Sequence, residues 1–182
     1  MINVYINSYG GEVAEGLAIY NSLKRHKAKV VTIDDGFACS IASVIFMAGD
    51  ERKMSDASLL MIHNAWTYTS GNAEELRKAA EDLDKITSAS VAAYMTNVTI
   101  TEEEVKQLMD DETWLTPQEC IEKGFATEIL TGGTDGKASQ SVRKSIFNTL
   151  TGSQKESAPK PQPIPQPEPE MQVKEFINAL FA

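Results

Sequence analysis

Ser40, His63 and the acidic run Asp110-Asp111-Glu112 follow one another in the order serine, histidine, acid along a chain of 182 residues. A serine hydroxyl is a poor nucleophile until a base lies within hydrogen-bond reach, and histidine suits that task near neutral pH. An acid behind the histidine orients it and stabilises the imidazolium that forms. The paired Gly10 and Gly11 let backbone approach a reacting carbonyl more closely than side chains allow. Together these types point to attack on an acyl carbon. Each also has a plainer reading: a serine in Ala-Cys-Ser-Ile-Ala-Ser packs as a small residue, a histidine after a strand is structural, and an acidic run is solvated surface. Ser43, one helical turn beyond Ser40, reads as a packing residue, and His26 lies at the basic end of a helix.

The elements that must position these residues are legible from periodicity. Ile2 to Ile6 reads as a strand, 7–11 as a turn, and Val13, Leu17, Tyr20 and Leu23 recur at helical spacing before the basic group 24–27. Val30 to Ile33 is a second strand. The apolar run Phe37 to Ala48 is expected to be a buried helix carrying Ser40, and Ala57 to Ile62 a third strand ending at His63. Strand, helix, strand, helix, strand predicts an α/β fold with a parallel sheet, whose active sites gather at strand C-terminal ends. A long helix is predicted over 73–97 behind the cap Asn72 and its partner Glu75. Capping boxes Thr101/Glu104 and Thr116/Glu119 start two shorter helices, and Ala126 to Leu130 returns as a strand.

Composition bounds the partners. A net charge of −9 disfavours nucleic acid and anionic membrane, which are held mainly by Lys and Arg. No apolar run reaches the roughly 20 residues of a membrane span, and the N-terminus has no leader pattern, so a cytoplasmic location is expected. Cys39 and Cys120 have neither zinc nor disulfide spacing. No metal or organic cofactor is expected, and no Gly-x-x-x-x-Gly-Lys phosphate loop occurs. The catalytic body is expected over 1–131, followed by a partly helical linker at 132–158. Proline at every second position makes 159–170 an extended spacer, and 171–182 reads as a short amphipathic helix suited to docking.

Four blocks carry a family resemblance. Tyr5-Ile6-Asn7-Ser8-Tyr9-Gly10-Gly11, Gly36-Phe37-Ala38-Cys39-Ser40-Ile41-Ala42, Met61-Ile62-His63-Asn64 and Leu115-Thr116-Pro117-Gln118-Glu119 with Gly124 resemble, in order, the signatures of the ClpP peptidase family within the ClpP/crotonase fold. The wording Glu112-Thr113-Trp114-Leu115 is similar to ClpP-like head maturation proteases of tailed bacteriophages. The resemblance implies Ser40 as nucleophile, His63 as general base and Glu112 as third member, with Asp111 the alternative. It places the oxyanion hole at the backbone N–H groups of Gly11 and Ile41. It further implies a handle helix at 73–97 and a homo-oligomeric ring. Protein substrates follow from it too, either capsid and scaffold proteins in a prohead or chains fed by a separate AAA+ unfoldase.

The family's usual first strand and helix precede the block at Ile2 to Gly11, so those opening elements are expected to be absent here. That leaves an inactive assembly subunit as a competing reading. A crotonase-type acyl-CoA enzyme would have little use for the Ser40 and His63 pair, and a serine–lysine protease lacks its lysine.

Overall fold

Strand β1, Ile2–Ser8, alternates as a half-buried strand should, with Val4 and Ile6 turned inward and Asn3, Tyr5 and Asn7 exposed. A computed structural model describes residues 1–131, and the linker, spacer and terminal helix expected at 132–158, 159–170 and 171–182 lie outside them. Helix α1, Val13–Lys24, crosses back so that β2, Val30–Cys39, pairs parallel with β1, Ile2 opposite Val30 and Ile6 opposite Asp34.

Strand β2 is the hub. Its first half pairs with β3, Glu51–Ser55, and its last three residues pair with β4, Leu59–Ile62, both parallel. Between β2 and β3 lies the short helix α2, Ile41–Phe46. Strand β6, Glu128–Leu130, runs parallel to β3, and β5, Thr113–Leu115, is antiparallel to β4. The six-stranded sheet therefore reads β5-β4-β2-β3-β6 with β1 also on β2, mixed but mostly parallel. The expected α/β architecture with helical crossovers is present.

Three local expectations are corrected. The second strand does not stop at Ile33, because Asp34 turns inward and is fully buried while pairing continues to Cys39. The apolar run from Phe37 is consequently strand first and helix only from Ile41. A strand absent from the sequence reading, β3, precedes the one expected at Ala57 to Ile62, which itself begins at Leu59.

Strand β3 shows why it was hidden. Its inward residues are Arg52 and Met54, and a buried arginine does not look like core. Arg52 is satisfied instead by three carbonyls: Nε donates to Phe125 at 2.8 Å, Nη1 to Gly49 at 3.1 Å and Nη2 to Gly124 at 3.3 Å. Burial pulls its pKa below the ordinary value, and Asp50 opposes that shift.

The long helix α3, Ala73–Met95, and the helices α4, Glu102–Asp110, and α5, Pro117–Lys123, all begin at the capping boxes read from the sequence, each with both reciprocal hydrogen bonds. Gly124 ends α5 in the left-handed conformation, φ 82°. The core comprises Phe46, Met47, Leu60, Ile62, Tyr94, Val105, Leu115 and Phe125 among others. Each such large side chain removed from water contributes about 1.5–3 kcal/mol. This core underlies the C-terminal ends of β2 and β4, where the site lies.

Candidate active site

Ser40 stands between the end of β2 and the start of α2. Its backbone takes φ 55°, ψ −130°, a region that non-glycine residues seldom occupy and that costs about 1–3 kcal/mol unless the surroundings enforce it. They do. The Ser40 N–H donates to Met61 O at 2.8 Å, the next residue but one before His63, and its carbonyl accepts the Ser43 N–H at 3.0 Å. Its side chain makes no capping bond to α2 and points to His63 instead: Ser40 Oγ and His63 Nε2 are 2.8 Å apart. For Oγ to donate in that bond, His63 must hold its own proton on Nδ1.

The β1–α1 turn closes the other side. Gly10 has φ 102°, and a Cβ there would come within 2.7 Å of Ser40 Cβ and 2.9 Å of the Cys39 carbonyl. No residue but glycine fits. Gly11 follows, exposed, with its backbone N–H adjacent in the chain to this contact. Ile41 is the first residue of α2, whose first-turn N–H groups lack intrahelical partners and favour negative charge. Its side chain is buried at 6 % exposure, against α1. Gly11 and Ile41, whose N–H groups the family resemblance assigns to an oxyanion hole, are the residues next to Gly10 and Ser40 in the chain, one in the β1–α1 turn and one at the start of α2.

The acidic turn is arranged differently. Asp110, Asp111 and Glu112 are all exposed. Asp110 Oδ1 accepts from Asn64 Nδ2 at 2.7 Å, and Asp111 Oδ2 from Gln107 Nε2 at 3.0 Å. Among the described residues, no carboxylate accepts from His63 Nδ1. The β4–β5 register still separates the two candidates. Ile62 pairs with Thr113 and Met61 with Trp114, so the same antiparallel register carried one step further sets Glu112 opposite His63. Asp111 falls outside that pairing and caps α4.

Three contributors were not visible in the sequence. Gly10 rather than Gly11 makes the close approach to the serine; the pair was legible, their division of labour was not. Asn64 ties the histidine loop to the acidic turn, and Ser43 makes hydrogen bonds besides packing. Cys39 and Cys120 are buried free thiols, and desolvation pushes both pKa values up, so neither competes as nucleophile. Among the described residues no group of three or more His, Cys, Asp or Glu side chains could hold a metal ion, and no helix is long and apolar enough to cross a membrane.

The Clp protease family model matches residues 1–133, which include every element of the site. The chain belongs to the Clp protease family. Its relatives include the ATP-dependent Clp protease proteolytic subunit of Deinococcus radiodurans, 34% identical over 131 residues, covering 71% of this chain and 64% of the relative. Subunits of the same name from Bacteroides fragilis and Bacteroides thetaiotaomicron are each 33% identical over 131 residues and 71% of this chain, covering 63% and 60% of the relatives. The chain thus spans about three fifths of the length of these relatives. Its sheet and crossover helices agree with the ClpP/crotonase fold of that family.

Proposed function

We propose that this chain is a serine endopeptidase of the ClpP type. The observation that carries the reading is the 2.8 Å contact of Ser40 Oγ with His63 Nε2 at a strand-to-helix turn, in a chain of the Clp protease family. In the reaction, His63 Nε2 takes the Ser40 proton as Oγ bonds to the scissile carbonyl carbon. The carbonyl oxygen becomes an oxyanion between the N–H groups of Gly11 and Ile41, where preorganised donors act most strongly. As the C–N bond breaks, Nε2 returns the proton to the leaving amine and an acyl-serine remains. Water, deprotonated by the same nitrogen, then releases the acid. Glu112 is the third member, holding the Nδ1 proton of His63 and offsetting its charge in the transition state.

The relatives' names favour a proteolytic subunit that works beside a separate ATP-driven unfoldase over a head maturation protease acting on capsid or scaffold proteins. Self-assembly into a ring belongs to the same reading, with α3 as the handle between copies. Labelling with a serine-reactive fluorophosphonate tests the proposal on wild type, Ser40→Ala and His63→Ala. Only the wild type should label. Labelling that survives Ser40→Ala overturns the nucleophile, and a wild type that assembles yet neither labels nor cleaves peptides makes the chain an inactive subunit.

A further inference from the structure

The strained conformation of Ser40 raises the question of what holds it, and the bonds lead to a residue more than fifty positions away. Ser43 Oγ donates to the Ser40 carbonyl at 2.5 Å, alongside the Ser43 N–H, and lies 2.7 Å from the hydroxyl of Tyr94 on α3. A serine hydroxyl has one proton. With that proton committed to Ser40, Tyr94 must be the donor to Ser43, which gives the chain of bonds a direction: Tyr94 O–H to Ser43 Oγ–H to Ser40 C=O. Ser43 is fully buried and Tyr94 is 1 % exposed. Burial pushes the Tyr94 phenol far above its ordinary pKa, which keeps the donor protonated throughout the working range. The ring is seated edge-on against Phe125, centroids 5.7 Å apart, so the hydroxyl cannot swing away without unpacking the core.

We propose that Ser43 and Tyr94 are positioning residues for the nucleophile, a buried two-hydroxyl tether from α3 that fixes the Ser40 carbonyl and, through the same peptide unit, aims the Ile41 N–H at the oxyanion. The Ser40–Ile41 peptide is the link. Its carbonyl end is held by the tether and its N–H end is one of the two oxyanion donors, so rotation of that plane misaims the donor and moves Oγ away from His63. Two bonds to one carbonyl oxygen prevent the rotation. The tether does not touch the substrate. It keeps a conformation that serine alone would leave, and it rests on the serine-peptidase reading above.

The test uses the full chain carrying Ser43→Ala, Tyr94→Phe and both. Tyr94→Phe keeps the ring on Phe125 and leaves the Ser43 to Ser40 bond in place, so it remains foldable even if Ser43→Ala does not. Peptide cleavage should lose about tenfold in kcat for Ser43→Ala and about threefold for Tyr94→Phe, with KM within about twofold, because misalignment acts on the transition state and not on substrate binding. The double variant should be no slower than Ser43→Ala alone, since Tyr94 acts only through Ser43. A kcat within twofold of wild type in Ser43→Ala, or losses that multiply in the double variant, overturns the tether. Amide exchange across Cys39–Ser43, followed by mass spectrometry, reads the same device without activity. Both single variants should exchange faster there than wild type, and unchanged exchange also overturns it. If the wild type itself is inactive but exchange rises in the variants, the tether stands and the peptidase reading falls by itself.

Discussion

Ser40 and Glu112 are the two non-glycine residues with positive φ among the described residues, 55° and 49°, and they are held in opposite ways. At Ser40 every polar atom is engaged: N–H to Met61, carbonyl to Ser43, Oγ to His63. The turn is backed by α2, of whose six residues five are buried. At Glu112 the N–H reaches Met109 at 3.2 Å, while the carboxylate stands exposed and has no hydrogen bond among the described residues. The same unusual backbone is thus enforced by the core in one case, and in the other arises where α4 ends and β5 must begin at once. A nucleophile and its base need fixed geometry before substrate arrives. The carboxylate of Glu112 is under no such constraint.

That contrast predicts a graded series. Ser40→Ala and His63→Ala should each cost about 10⁴–10⁶ in kcat for peptide cleavage, since members of one catalytic unit fail together. A loss of under a hundredfold in either would remove the fixed half of the comparison. Gly10→Ala drives a methyl into Ser40 and the Cys39 carbonyl and forces alanine to φ 102°, so about a 10²-fold loss in kcat is expected with a lowered melting temperature. Near-wild-type kinetics would mean that the turn can give way.

On the looser side, Glu112→Gln should slow kcat about tenfold, about 1.4 kcal/mol on the barrier, and Asp111→Asn less than twofold. The reverse order would move the third member to Asp111 and break the register argument.

The last expected effect is on stability and not on rate, and it lies on β2, six residues before Ser40. Asp34 is fully buried with one carboxylate oxygen unpartnered, and desolvation raises its pKa to about 7 from 3.8, while the Gly36 N–H and Ser58 oppose the shift and Asp35 adds to it. Between those values the folded chain keeps a proton that the unfolded chain has released. Stability from this group therefore falls as pH rises through about 4 to 7, by at most about 1.4 kcal/mol per pH unit. Urea midpoints at pH 5.5, 6.5 and 7.5 should decline for wild type and flatten for Asp34→Asn. A wild-type midpoint that climbs over this range would place the charge of Asp34 in a polar setting instead.

What was legible in the sequence follows the same division. Caps announce themselves within four residues, so α3, α4 and α5 were placed almost to the residue by Asn72, Thr101 and Thr116. The Ser40 and His63 blocks were legible because a turn and a strand end are local too. Strand β3 and the second half of β2 were not: Arg52 and Asp34 point inward, and two of the carbonyls that satisfy Arg52, those of Phe125 and Gly124, lie more than seventy positions away. The use of Ser43 was hidden for the same reason, since nothing near it in the chain names Tyr94. The choice of Glu112 over Asp111 as proposed third member depends on strand register, which only the folded β4–β5 pair defines.

Arg52 also bears on how the molecule comes apart. Its guanidinium joins β3 to the carbonyls of Gly124 and Phe125, while Thr127 makes three further hydrogen bonds with the Arg52 backbone: its Oγ1 accepts the Arg52 N–H at 2.9 Å, and its N–H and Oγ1 donate to the Arg52 carbonyl at 2.7 and 3.0 Å. Peeling the α5–β6 corner away would break two of the three guanidinium bonds and the three to Thr127 at once. The corner therefore opens together with the sheet, and a protease cutting between Gly124 and Leu130 would report global unfolding and not fraying of an end.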